Sequence, residues 1–82
     1  MSVLTVTVYS KPNCPGCALT KSHLAKLEIA FSEEPIDDEV REAAMYLDLS
    51  SAPIVCANVG GVERFWSGFR PDRISALVGA AA

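Results

Sequence analysis

A chain of 82 residues, half of them apolar and 21% charged, carries enough hydrophobic material for one thin core, and its balance excludes intrinsic disorder. The net charge of −3 offers no basic face to phosphates, which argues against nucleic acid as a partner. The apolar runs are too short to cross a bilayer, and Met1 to Tyr9 lacks the basic start and long hydrophobic stretch of a secretory signal. A single domain over residues 1–82 that remains in the cytoplasm, away from membranes, is therefore expected.

The segment Val3 to Tyr9 places Leu4, Val6 and Val8 on one face and β-branched or aromatic side chains on the other, the pattern of a central strand covered on both sides. After the breakers Lys11, Pro12 and Asn13, the stretch from Pro15 to about Leu27 aligns Cys17, Thr20, Leu24 and Leu27 on one helical stripe. Cys14 then stands at the helix start, with Pro15 in the first turn, where its missing N–H costs nothing. Ile29 to Ile36 alternates weakly and contains Pro35, which suits a short edge strand. Asp37, Asp38 and Glu39 put negative charge on the first turn of a helix that shows Val40, Ala43, Ala44 and Leu47 on one face and runs to about Leu49. Pro53 to Ala57 and Val62 to Trp66 flank Asn58-Val59-Gly60-Gly61, the signature of a hairpin. Pro71 and Asp72 open a last helix with Ile74, Leu77 and Val78 on one face, before an Ala-rich tail that frays. The order is βαβαββα: an α/β chain with a four-stranded mixed sheet flanked by three helices, its first two strands parallel and its last two an antiparallel hairpin.

Three cysteines are an odd number, and a reducing compartment disfavours a purely structural disulfide framework, so their spacing points to redox or metal chemistry. Cys14 and Cys17 form a CxxC pair. At a helix N-terminus Cys14 faces unpaired backbone amides, which lowers the pKa of its thiol and makes it the expected nucleophile. Cys17, one turn in on the buried stripe, is the expected resolving thiol. Pro15 stiffens the loop, and Gly16 removes bulk so that a partner backbone can approach. A structural zinc site would need a second closely spaced ligand pair; Cys56 and His23 do not make one, and no metal is expected. An inert buried cysteine pair is the other alternative to redox chemistry. His23 is expected on the solvated side of its helix, away from the Cys17 stripe, Cys56 as a small buried strand residue, and the acidic segment Ser32 to Glu39 as a solvated face.

A CxxC after the first strand of a βαβαββα chain, with Pro53 at the head of the third strand, resembles the thioredoxin/glutaredoxin family along the whole chain. The resemblance implies the thioredoxin fold, with a cis Ala52–Pro53 bond packed beside the active-site disulfide. Tyr9-Ser10-Lys11-Pro12-Asn13-Cys14-Pro15 looks like a glutaredoxin active-site approach. Trp66-Ser67-Gly68-Phe69-Arg70-Pro71 resembles the WSGFRP signature of NrdH-type redoxins. By that resemblance the chain is expected to be a monomeric dithiol–disulfide electron carrier with no bound cofactor. Thioredoxin reductase would reduce it, and the large subunit of class Ib ribonucleotide reductase would receive its electrons. Pro15-Gly16 stands where Val-Gln is common in that family, and a different dipeptide can shift the reduction potential. Glutaredoxins hold the ammonium of glutathione with acids at the place occupied here by Ser67-Gly68-Phe69-Arg70, although Lys11 could still meet a glutathione carboxylate. A glutathione-dependent glutaredoxin and an iron–sulfur or metal carrier are the rival readings. Trp66 and Phe69 suit either a contact patch for a protein partner or the packing of their loop, and Arg70 and Asp72 are expected to fix that loop by hydrogen bonds to backbone.

Overall fold

The computed structural model describes residues 4–81, with the side chains of residues 80 and 81 left aside. Strand β1 (Leu4–Ser10) leads through helix α1 (Pro15–Lys26) to β2 (Ser32–Pro35), then α2 (Asp38–Tyr46), the hairpin β3 (Ile54–Val59) and β4 (Val62–Ser67), and α3 (Pro71–Ala81). The sheet order is β2-β1-β3-β4, with β1 parallel to β2 and antiparallel to β3. This four-stranded mixed sheet with three helices is the thioredoxin fold.

Alternation along β1 and β3 divides the sheet into two unlike faces. On one, the cross-strand row Val8–Val55–Trp66 is buried, and Leu24 of α1 with Ile74 and Leu77 of α3 closes over it. On the other, Thr7 pairs with Cys56 and Cys56 with Phe65, and all three are only half-buried. The helix on that side, α2, buries Ala44 alone and leaves Met45 75% and Tyr46 92% exposed. The core is therefore one-sided. Val78, expected beside Ile74 and Leu77, instead faces solvent.

Helix α1 ends where its apolar spacing predicts and α2 ends sooner, both on the same device. Glu28 and Asp48 take left-handed backbone (φ +59° each), and the next amide reaches back to the helix: Ile29 N–H to the Leu24 carbonyl at 2.9 Å, Leu49 N–H to the Ala44 carbonyl at 2.8 Å. This is the Schellman C-cap, with a non-glycine residue at the left-handed position. It ends α2 at Tyr46 rather than near Leu49. It also assigns Ile29 to a helix cap, so β2 begins at Ser32 and not at Ile29. At the other end of α2, Asp37 is the N-cap and not a first-turn residue, its carboxylate accepting from the Val40 amide at 2.9 Å. The hairpin turn uses Gly60 and Gly61 at positive φ (+57° and +92°), and the Asn58 side-chain oxygen accepts from the Gly61 amide.

The one-sided core predicts unequal costs for truncating large side chains. Leu24→Ala should destabilise the fold by about 2–5 kcal/mol, while Met45→Ala should stay within about 0.5 kcal/mol of the parent. Urea unfolding of the two variants side by side measures both values.

Candidate functional site

The chain leaves β1 at Ser10 and turns through Asn13, whose backbone is left-handed (φ +55°). Cys14 follows in extended conformation as the N-cap of α1, and its carbonyl accepts from the Ala18 amide at 3.2 Å. Its sulfur takes the part that a Ser or Asp oxygen plays at other helix starts, accepting from the Cys17 N–H at 3.1 Å. Pro15 is in the first turn, where no amide is needed. Cys14 and Cys17 are joined by a disulfide with their Cα atoms 5.2 Å apart, Cys14 half-buried and Cys17 buried.

Ala52–Pro53 is a cis peptide, and Pro53 is buried. The Pro53 carbonyl accepts from the Gly68 N–H at 2.8 Å, with Gly68 in left-handed conformation (φ +78°). A Cβ on Gly16 would lie 3.2 Å from the Ala52 carbonyl oxygen, 3.5 Å from Cδ of Pro53 and 3.8 Å from the Phe69 amide nitrogen. The space that Gly16 frees is thus taken up within the protein by the cis-proline segment and the loop after β4, and is not left open to a partner backbone.

The loop expected to be either a partner surface or a packing device is largely the second. Trp66 is 3% exposed and belongs to the core, so it anchors the loop and offers no surface to a partner. Ser67 shares a hydroxyl contact of 3.3 Å with Ser51. Phe69 packs against the core and meets the ring of His23 edge-on at 6.0 Å. His23 is therefore half-buried against Phe69 and not solvated as expected; its Nε2 is buried without a partner. Arg70 and Asp72 bind each other, with Arg70 Nε and Nη2 donating to the two carboxylate oxygens at 3.2 and 3.1 Å. That bidentate hydrogen-bonded pair holds the Asp72 carboxyl below the usual range and pushes the Arg70 guanidinium up. Fixing of the loop to backbone runs instead through the Arg70 carbonyl, which accepts from the Arg73 and Ile74 amides. Pro71 begins α3.

An open cleft of about 660 Å³ borders the disulfide, lined among others by Lys11, Asn13, Cys14, Cys17, Lys21 and Glu33. Within it, Lys21 Nζ and Ser10 Oγ both donate to Glu33 Oε2 at 2.7 Å, and these bonds lower the Glu33 carboxyl. The residues of this network were not singled out from the sequence; only the parallel register of β1 on β2 brings Glu33 back beside α1. Lys11 also lines a second cleft, about 440 Å³, with Arg41, Met45, Leu49 and Ala52. Cys56 lies apart, on the wall of a small apolar cavity beneath α2 with Tyr9, Leu47 and Phe65. Burial pushes its thiol up, and the Glu63 charge adds to that.

A CxxC disulfide at the N-terminus of the first helix, faced by a cis-proline on a four-stranded mixed sheet, defines a thiol–disulfide oxidoreductase of thioredoxin fold. The glutaredoxin family model matches residues 6–60. The glutaredoxin-like protein NrdH of Lactococcus lactis subsp. cremoris is 38% identical over 74 residues, covering 88% of this chain and 97% of the relative. That of Escherichia coli K12 is 30% identical over 76 residues, covering 90% and 89%. Among solved structures, the NrdH-redoxin of Escherichia coli superposes with a TM-score of 0.66 at 33% identity, over 89% of this chain and 93% of the other. The thioredoxin-like protein BC3987 gives 0.69 at 28% identity, over 88% and 97%. The chain belongs to the glutaredoxin family, and within it to the NrdH-type glutaredoxin-like redoxins.

With the Cys14–Cys17 disulfide formed, Cys56 is the remaining thiol of the three cysteines. A thiol raised on folding favours its neutral form, so its contribution to stability is present below the unfolded pKa and is lost as pH rises through the folded one. The oxidised protein should therefore react with a chromogenic aromatic disulfide more slowly when native than in urea near pH 8. Equal rates in the two solvents would show that Cys56 is not held neutral.

Proposed function

We propose that this redoxin is a monomeric cytoplasmic electron carrier, reduced by a flavin-dependent thioredoxin reductase and donating electrons to the large subunit of class Ib ribonucleotide reductase for deoxyribonucleotide synthesis. The Cys14 thiolate attacks one sulfur of the partner's disulfide, and the other partner sulfur leaves as a thiolate. In the resulting mixed disulfide, the Cys17 thiolate attacks Cys14 Sγ; the Cys14–Cys17 bond forms and the second partner sulfur leaves. Two electrons pass to the partner, and NADPH restores the dithiol through the reductase flavin. Helix amides at Cys14, including the Cys17 N–H at 3.1 Å, favour a negative sulfur there in the reduced state.

The observation that carries the choice of reductase is the pairing of Arg70 with Asp72. Glutathione carries an ammonium that glutaredoxins hold with carboxylates in this loop. Here the acid that follows Gly68 is already bound by Arg70, and the bulky Phe69 stands between them in the chain and packs against the core. A solved relative, the NrdH-redoxin of Escherichia coli, is described as having a thioredoxin-like activity profile, which agrees with this reading.

In an insulin-reduction assay that follows NADPH oxidation, thioredoxin reductase should support turnover, while glutathione with glutathione reductase should not. Turnover by the glutathione system alone would replace this reading with that of an ordinary glutaredoxin. Cys14→Ser should abolish activity, and Cys17→Ser should accumulate a mixed disulfide visible by mass spectrometry.

A further inference from the structure

Thr20 is 0% exposed, and its hydroxyl has no hydrogen-bond partner in the disulfide form of the protein. Buried hydroxyls are nearly always matched, so an orphan of this kind asks for an explanation. It sits one helical turn beyond Cys17 on the buried stripe that continues to Leu24. Side chains three apart on a helix have Cβ atoms about 5–6 Å from one another. Helical side chains also lean toward the N-terminus, so Thr20 covers the turn that carries Cys17. Among the described residues, the two other buried side-chain polar atoms without a partner are placed elsewhere: His23 Nε2 in the residue packed on Phe69, and Trp66 Nε1 in the row with Val8 and Val55.

In the disulfide, Cys17 Sγ is bonded to Cys14 Sγ. Reduction breaks that bond, adds two electrons and two protons, and leaves Cys17 Sγ as a buried thiol that can accept a hydrogen bond and ionise. We propose that the Thr20 hydroxyl is the donor to Cys17 Sγ in the reduced protein, unmatched in the disulfide and satisfied in the dithiol. The inference rests on the dithiol–disulfide chemistry of the family and is independent of which reductase serves it. One consequence is thermodynamic: the bond exists in one redox state only, so it stabilises the dithiol relative to the disulfide. The other is kinetic. Donation to Cys17 Sγ favours its thiolate, which attacks Cys14 Sγ in the mixed disulfide while the partner sulfur leaves with the electron pair and takes a proton from solvent.

The experiment equilibrates Thr20→Val, Thr20→Ser and the parent with dithiothreitol redox buffers and measures the fraction of Cys14–Cys17 disulfide. Thr20→Val should move the equilibrium constant toward the disulfide by about two- to tenfold, each tenfold being about 30 mV, and Thr20→Ser should stay with the parent. A purely structural hydroxyl would alter the melting temperatures of both redox forms alike and leave this equilibrium in place. A shift of less than twofold in Thr20→Val, or an equal shift in Thr20→Ser, would overturn the proposal. If Thr20→Val fails to fold, Thr20→Ala is read against Thr20→Ser on the same scale.

Discussion

The approach of Gly16 to the Ala52 carbonyl governs where the three segments of the site can lie. At 3.2 Å from a would-be Cβ, the carbonyl leaves no room for a side chain unless the cis-proline segment moves outward by a few tenths of an ångström. Pro53 in turn takes the Gly68 amide, and Gly68 hands the chain to Phe69, whose own amide nitrogen faces Gly16 again. The first turn of α1, the segment before β3 and the loop after β4 thus close on one another through backbone atoms. The closed arrangement sets the exposure of the sulfurs: Cys14 at the rim, Cys17 beneath it. An asymmetry in reactivity between two identical side chains follows from where the backbone puts them.

The same small size that limits the core makes the two sheet faces unequal. A chain of 82 residues has little apolar volume to share between the two sides of a four-stranded sheet, and here it is shared unequally. Apolar volume is concentrated between the sheet and α1 and α3, the side to which the active-site helix belongs, and Cys17 is buried on the stripe of α1 that continues through Thr20 to Leu24. Helix α2 is left over a half-buried row of Thr7, Cys56 and Phe65, with an apolar cavity between. Tight packing where sulfur geometry matters, and loose packing opposite, is a sensible division of limited material.

Much of this was legible in the sequence because it rests on local patterns. Alternation in β1, the glycine pair of the hairpin and prolines at the starts of α1 and α3 each have a near-neighbour cause. The stop of α2 was hidden because Asp48 occupies a left-handed position that glycine would have announced. His23 and Trp66 were misplaced or left open for a different reason. Their surroundings come from Phe69 and from the β3–β4 row, contacts set by tertiary closure and not by helical or strand period. The Lys21–Glu33–Ser10 network likewise needs the register that sets Tyr9 opposite Glu34 and Val8 opposite Glu33, which no single-strand pattern specifies.

Two of the cations around the site are balanced by carboxylates, and this narrows which forces act on the sulfurs. Lys21, the cation lining the disulfide cleft beside Glu33, is bound to that carboxylate at 2.7 Å, and Arg70 is bound to Asp72. Neither ammonium nor guanidinium is then free to set the thiolate character of Cys14. That leaves the backbone amides at the start of α1, the Cys17 N–H foremost, and the unpaired Lys11 of the same cleft. A dipole fixed by covalent geometry acts at hydrogen-bond range and is little screened by salt, whereas a side-chain cation at the surface is screened within about 8 Å at physiological ionic strength. Lys11 stands differently: it has no ion pair among the described residues and lines both clefts. Lys11 is therefore the free cation of the disulfide cleft, and its charge is met both by an approaching partner and by the Cys14 sulfur, beside the fixed backbone amides.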